Sequence, residues 1–370
     1  MKKLHIICHT VPYPADYGGV IEVFHTIKSL CEAGIEITLH CFTYERNEQN
    51  ELKKYCKEIF YYKRLSIWEN FSFSIPYIVR SRMNKHLLSN LQKDNNPILM
   101  EGIHCSGFVR QFLKDNRKVI LRLHNVETIY YKQLFRLEKN IFRKTFYFYE
   151  SSLLKFYEQS LPKNLIVLTL SNSDADYYKN SFQQIFTHWI PALIPFSKTQ
   201  IKAGIGTYCL YHGNLSINEN EEASIYLIEN VFSKIAFPFV IAGKSPSNKL
   251  TQLISKFSNI QLINNPSEEE LFNLIQHAQI NILISLNKTG IKLKLINALF
   301  NGRHCIVNDE AVKGSGLESA CHISNNKTLE LVIKLFKEPF DDLSIQKREQ
   351  ILLKNYTNQR NTQKLIEAIW

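Results

Sequence analysis

The sequence contains no run of about 18 uncharged apolar residues, the length a membrane-spanning helix needs. It contains no Cys-x-x-Cys: its eight cysteines are scattered singly, which argues against a zinc site and fits reduced thiols in a cytosol. Gly-x-Ser-x-Gly, His-Glu-x-x-His and a Walker loop are also missing, which removes the common serine-hydrolase, zinc-protease and P-loop readings. No short-period repeat and no low-complexity tract interrupts the chain. The opening Met1-Lys2-Lys3-Leu4-His5-Ile6-Ile7-Cys8 is basic but has neither a long apolar stretch nor a small-residue cleavage site, so it is expected to be a first strand rather than a signal peptide.

What is present points to a large folded protein. The chain has 370 residues, 45% of them apolar, which suits two domains with substantial cores. The formal net charge is +11. Such a charge serves nucleic acid, anionic lipid or an anionic substrate, but the basic residues are spread along the chain, which also describes an ordinary basic surface.

Short β-rich runs alternate with helical patterns. Leu4 to Cys8 is apolar, Asp16-Tyr17-Gly18-Gly19 follows, and Val20, Val23, Phe24, Ile27, Leu30 and Cys31 mark one helix face ended by Gly34. Glu36 to Phe42 then completes a βαβ unit. Further strands are predicted at Ile98 to Met100, Val119 to Leu123 and Leu165 to Leu170, with one long aromatic and basic helical pattern from Tyr130 to Tyr157. Pro191, Pro195, Gly204 and Gly206 break the pattern. Alternation restarts at Cys209-Leu210-Tyr211-His212-Gly213 and continues through Phe239 to Gly243, Ile260 to Ile263, Ile280 to Ile284 and Cys305 to Val307. Two successive βαβ series predict an α/β fold of two Rossmann-like, doubly wound lobes. The expected division is a first lobe over 1–192, a linker over 193–206, a second lobe over 207–345 and a helical tail over 346–370 packing back towards the first lobe.

Two segments can hold an anion. Gly18-Gly19 lies between a strand and a helix, where glycines let a phosphate approach helix amides; a plain turn reads the same way. Thr289-Gly290-Ile291-Lys292-Leu293-Lys294-Leu295-Ile296-Asn297 again places a helix start after an apolar strand. Thr289 is expected to cap that helix, with Lys292 and Lys294 in its first turns. Positive charge there opposes the helix dipole unless an anion binds, although solvated lysines on an amphipathic helix also fit. Lys294 and Asn297 share a face.

These segments, with several others, resemble the GT-B glycosyltransferases of family four, the bacterial surface-polysaccharide type. Pro12-Tyr13-Pro14-Ala15-Asp16-Tyr17-Gly18-Gly19 resembles that family's opening loop, and Leu123-His124-Asn125-Val126-Glu127 its His-Asn-x-Glu segment. Leu168 to Asp174 and Ile190-Pro191-Ala192 resemble the approach to the second lobe. His212-Gly213-Asn214-Leu215 and Ile241-Ala242-Gly243-Lys244 resemble its glycine turns; Gly290 to Lys294 resembles the donor helix and Val312 to Leu317 the loop after it. The resemblance implies two lobes facing across a cleft and retaining, metal-independent transfer from a nucleoside-diphosphate sugar as co-substrate, with no cofactor. It implies that Gly18 and Gly19 face the diphosphate, that His124 lies near the donor sugar, and that Gly213, Asn214, Gly243, Lys244, Thr289, Gly290, Leu293 and Asn297 line the donor site. Lys292 or Lys294 would neutralise the leaving group. Where that family carries two glutamates eight positions apart, this chain has Thr289 and Asn297. Asn297 can still pair with ribose hydroxyls, whereas Thr289 supplies no charge.

Asp174-Ala175-Asp176 has the form of a metal-binding Asp-x-Asp. It sits where Ser171 or Ser173 would cap a helix, and acids are favoured in a first turn, so no metal is expected there. Cys8, Cys209 and Cys305 read as core. Tyr61 through Arg82 and Tyr130 through Tyr149 interleave aromatics with basic residues, a composition that suits buried first-lobe helices, an anionic membrane surface or single-stranded nucleic acid. The expected partners are therefore a nucleotide sugar and a glycan or lipid-linked acceptor, with a cytoplasmic location, peripheral to the inner face of the plasma membrane. A catalytically inactive GT-B-like partner, a basic nucleic-acid-binding protein and a sugar-nucleotide epimerase are the competing functions; no convincing pair of acids supports the last.

Overall fold

The computed structural model describes residues 1–66, 72–184 and 186–370. The portion of the Tyr61–Arg82 stretch at 67–71 lies outside the described residues. The chain divides into two compact units, Met1–Pro195 with Tyr356–Trp370, and Phe196–Asn355.

Among the described residues the first unit holds seven strands: β1 Lys3–Cys8, β2 Glu36–Thr43, β3 Glu58–Lys63, β4 Ile98–Glu101, β5 Val119–Leu123, β6 Ile166–Thr169 and β7 Thr187–Trp189. They form one sheet in the order β3-β2-β1-β4-β5-β6-β7, and every neighbouring pair is parallel. A parallel sheet needs helices on both faces, which explains the unbroken burial of β4, β5 and Leu4 to Cys8 of β1. One face packs Val23, Ile27 and Leu30 of the Gly18–Glu32 helix against Ile6, Leu99 and Ile120. Leu365 and Ile369 of the Asn358–Ile369 helix join the same core, so the chain's last helix is part of this unit. The other face buries Phe112, Leu154, Tyr178 and Phe182 against Met100 and Leu121.

The second unit holds β8 Cys209–Asn214, β9 Phe239–Lys244, β10 Ile260–Asn264, β11 Ile280–Leu283, β12 His304–Val307 and β13 His322–Ile323, in the order β10-β9-β8-β11-β12-β13. These pairings are also parallel. In each sheet the winding reverses beside its first strand, between β1 and β4 and between β8 and β11. Ligands of open parallel sheets bind beyond the strand carboxyl ends at this reversal.

Several local expectations are corrected. Tyr61 to Lys63 belong to strand β3, not to a helix; Tyr62 is buried there and its hydroxyl pairs with His40 at 2.8 Å. The pattern from Tyr130 to Tyr157 is two helices, Glu127–Leu137 and Ile141–Gln159, because Asn140 caps the second through the amides of Phe142 and Arg143. The tail is likewise two helices, Asp342–Asn355 and Asn358–Ile369. Ser171 occupies the position before the Asn172–Phe182 helix without capping it, because its hydroxyl pairs with that of Ser173 at 2.9 Å. Cys8, Cys209 and Cys305 are buried, as expected.

Candidate functional site

At the reversal of the first sheet, the ends of β1, β4 and β5 bring together His9, Glu101, His104, Arg122 and His124. Glu22, one turn into the Gly18–Glu32 helix, completes the group from above. The Arg122 guanidinium lies 2.7 Å from Glu22 and 3.8 Å from Glu101, all three side chains fully buried, and it donates to Thr26 Oγ1 at 2.6 Å. A buried ion pair is stable only when the remaining polar atoms are also engaged. Here His124 engages the carboxylates, its Nε2 lying 3.0 Å from Glu101 Oε2 and 3.4 Å from Glu22 Oε2, while the buried Arg122 Nε has no hydrogen-bond partner among the described residues. Burial alone would lower the His124 pKa, but the hydrogen bond to Glu101 and the two carboxylate charges outweigh it, and the net shift is upward. Glu22, Glu101 and His124 have the ligand types of a metal site, with atoms within 4.8 Å of one another. Arg122 and the imidazole already balance the two carboxylates from within the chain.

The loop carrying His124 is fixed from below. The Glu158 carboxylate accepts from the Glu127 amide at 3.0 Å and from the Thr128 amide at 3.3 Å, capping the next helix from a distance. Tyr178 donates to the same carboxylate at 2.7 Å. The other ring nitrogen of His124 then faces Gly19, where a β-carbon would sit 3.8 Å from Nδ1. Gly18 and Gly19 open their helix with no acid in its first turn and no side-chain cap, leaving the amide end suited to an anion. Of the residues expected from the sequence, this unit therefore unites Gly18, Gly19 and His124. His9 and His104 stack at 4.9 Å beside them, both held neutral by burial.

The second unit has its own site at the β8–β11 reversal. Gly243 Cβ would fall 1.9 Å from the Gly213 carbonyl, so only glycine lets β9 close against β8 there. Gly213 similarly makes room for Asn220, whose Nδ2 donates to the Asn214 carbonyl at 2.9 Å. Lys294 Nζ donates to Asn220 Oδ1 at 3.1 Å and lies 5.0 Å over the Tyr211 ring. Its pKa is pushed down to about 8 by burial, with Glu219 partly offsetting and Lys292 adding to the effect. Lys294 is thus a cation enclosed by aromatic and amide groups, not a solvated surface lysine.

The loop after β11 is tightly held. Glu219 Oε1 accepts from Ser285 Oγ at 2.6 Å and from the amides of Leu286 and Asn287 at 2.9 and 3.0 Å. Asn308 grips Ser285 through both its amide and its carbonyl. Thr289 does not cap the following helix, which runs over Leu293–Asn301. Gly290, at φ 70°, turns the chain so that Lys292 is still extended, and Thr289 remains buried with its amide on Asn287 Oδ1 at 3.0 Å. Lys292 Nζ folds back to the Thr289 carbonyl at 2.7 Å. Asn297 lies one turn inside the helix and accepts from Asn301 Nδ2 at 2.7 Å. Lys244 is exposed at the end of β9. Asp174 is buried in the first turn of its helix and Asp176, beyond that turn, is exposed, so the two carboxylates do not converge.

Glu22, Glu101, Arg122, Glu219 and Asn220 escape a motif search because their partners come from distant strands. A signal existed for two of them: Glu101 and Arg122 are charged residues inside otherwise apolar strands, an arrangement that requires compensation.

No family model matches the chain. A Klebsiella pneumoniae protein described as an uncharacterized 44.6 kDa protein in cps region is 27% identical over 334 residues, covering 85% of each chain. Among solved structures, a mutant of TarM from S. aureus, in complex with Fondaparinux, alpha-GlcNAc-glycerol and UDP, superimposes with a TM-score of 0.69 at 12% identity, covering 100% of both chains. A glycosyltransferase from Rickettsia africae gives a TM-score of 0.63 at 13% identity over 99% of this chain and 97% of its own. Two parallel, doubly wound α/β units with these structural neighbours give the chain the GT-B fold.

Proposed function

We propose that the protein is a retaining, metal-independent glycosyltransferase that moves a hexose-type sugar from a nucleoside-diphosphate sugar to a polysaccharide, glycolipid or lipid-linked glycan. The observation that carries this reading is Lys294. A lysine kept over Tyr211 and Asn220, beside a loop clamped at the sheet reversal, is held ready for an anion. In this reading Lys292, Lys294 and the amides at Leu293 take the diphosphate. Asn297 takes the ribose, and Gly213, Asn214, Gly243, Lys244, Thr289 and Gly290 shape the pocket around it. In the first unit His124, Gly18 and Gly19 are the candidate ligand-facing residues, with Nδ1 of His124 turned towards Gly19. The UDP bound in the TarM complex and the cps-region setting of the Klebsiella relative both favour a nucleotide-sugar enzyme of cell-surface glycan assembly. Work at the cytoplasmic side of the cell, where nucleotide sugars are made, belongs to the same reading.

One observation favours a second reading, a nucleotide-sugar-binding partner without turnover: Thr289 is buried and brings no charge to the position where similar sequences carry an acid. A panel of UDP- and GDP-sugars tests both. A ligand that binds only the native state raises its melting temperature. An active transferase then also hydrolyses that donor slowly in the absence of acceptor, whereas an inactive partner is stabilised and releases no sugar.

A further inference from the structure

Beyond the donor chemistry, and independent of it, the first unit carries an apolar strip that stands exposed among the described residues. The Glu127–Leu137 and Ile141–Gln159 helices form a hairpin packed through aromatic pairs, Tyr131 with Tyr147 and Phe135 with Phe148. On its outer side Phe142, Ile141, Phe156 and Phe148 are 83%, 68%, 67% and 59% exposed. Positions 141, 145, 148, 152 and 156 follow helical spacing and share one face. The two polar members of that face turn their hydroxyls inward: Thr145 donates to the Ile141 carbonyl at 2.9 Å and Ser152 to the Phe148 carbonyl at 3.1 Å. The strip is therefore apolar along its whole length, about 22 Å at 1.5 Å per residue. Phe142, at the hairpin tip, extends it sideways.

The charge around the strip has one dominant sign. Between residues 132 and 156 the chain has six basic side chains, Lys132, Arg136, Lys139, Arg143, Lys144 and Lys155, against two acids. One of those acids, Glu150, is buried and accepts the Ile78 amide at 2.9 Å, so Glu138 alone opposes the basic residues from the surface. Lys144 leans over Phe135 at 5.4 Å, covering apolar surface with its stem while its ammonium stays outside. A second copy of this chain would bring the same basic rim against itself. An anionic bilayer matches both features at once, because it offers an apolar layer beneath a negative surface.

We infer that this hairpin is a docking surface for an anionic lipid membrane, with Ile141, Phe142, Phe148 and Phe156 entering the headgroup–acyl boundary and the surrounding lysines and arginines engaging the headgroups. The test is flotation of the full-length protein with phosphatidylcholine vesicles, with and without phosphatidylglycerol. Two double variants accompany the native protein, Phe142→Ser/Phe156→Ser and Lys139→Gln/Arg143→Gln. All four positions are exposed, so both variants should keep the native circular dichroism and melting temperature. The native protein is expected to float only with phosphatidylglycerol-containing vesicles and to be released by salt. Each double variant should bind at least about tenfold more weakly, from lost apolar burial in one and lost headgroup attraction in the other. Failure to float, equal flotation with neutral vesicles, unaltered binding by both variants, or a homodimer that Phe142→Ser/Phe156→Ser dissociates would each overturn the inference. Donor hydrolysis is read separately, so none of these outcomes bears on the transferase reading.

Discussion

His124 Nε2 lies 3.0 Å from Glu101 Oε2, and the opposite ring nitrogen faces Gly19. One buried carboxylate thereby fixes which edge of the imidazole reaches the strand ends. Arg122 makes that carboxylate tolerable in the core by facing both Glu101 and Glu22.

Removing the cation should expose this dependence. Arg122→Met leaves two buried carboxylates without their guanidinium, and breaking a buried pair from one side costs about 3–5 kcal/mol. The expected result is a urea midpoint shifted down by a corresponding amount in the transition that reports the first unit. An unchanged midpoint would mean that the cluster is solvated and does not order His124.

Lys294 makes the opposite prediction. Enclosing an ammonium costs stability unless its partners compensate fully, and its depressed pKa shows that they do not. Lys294→Met should therefore keep or raise the melting temperature while lowering turnover by about 10²–10³. A variant that melts earlier and turns over normally would make Lys294 a structural residue.

The same lysine sets a pH dependence. Its pKa of about 8 means that it is mostly charged at pH 7 and mostly neutral at pH 9. UDP affinity should fall as pH rises through about 8, since the neutral amine no longer attracts the diphosphate. Isothermal titration across that interval measures it, with Lys294→Gln expected to bind weakly and without the inflection. An inflection that persists in Lys294→Gln assigns the titration to another group.

Much of this arrangement was legible in the sequence, for a physical reason. Parallel strands buried on both faces leave apolar runs such as Ile98 to Met100 and Phe239 to Ala242, and the glycine turns after them mark where the backbone must come close. What stayed hidden depended on contacts remote in sequence. Strand β3 was hidden because Tyr61 and Tyr62 run on into a stretch of aromatics and basic residues, and its pairing with β2 and the His40–Tyr62 bond are what make it a strand. The helix start after Thr289 was misplaced because Gly290 adopts a left-handed backbone that delays helical geometry until Leu293. Glu219 and Asn220 belong to no motif in the sequence, and only the fold places them on the Ser285 loop and on Lys294.

Asn297 tests the ribose assignment. Its carbonyl is occupied by Asn301, so a ribose hydroxyl would be held chiefly by its amide group. Asn297→Ala should weaken UDP binding by roughly 1–2 kcal/mol, the worth of one or two hydrogen bonds, with little change in turnover at saturating donor. Asn297→Glu should preserve or tighten binding. Equal UDP affinity in the alanine variant removes Asn297 from the site.

Transfer should also continue in a chelator, because the charge stabilisation assigned here comes from Lys292, Lys294 and helix amides. Full loss of turnover in EDTA, restored by manganese, would contradict that assignment and direct attention to the Glu22–Glu101–His124 group.

The most direct test of the central claim is acceptor-free hydrolysis of whichever UDP- or GDP-sugar raises the melting temperature, followed for the native protein, Lys292→Ala and Lys294→Ala. The account predicts slow release of free sugar by the native protein and a loss of about 10²–10³ in that rate in at least one folded lysine variant. Full hydrolysis by both variants, or a stabilising nucleotide sugar that is never hydrolysed, would contradict it.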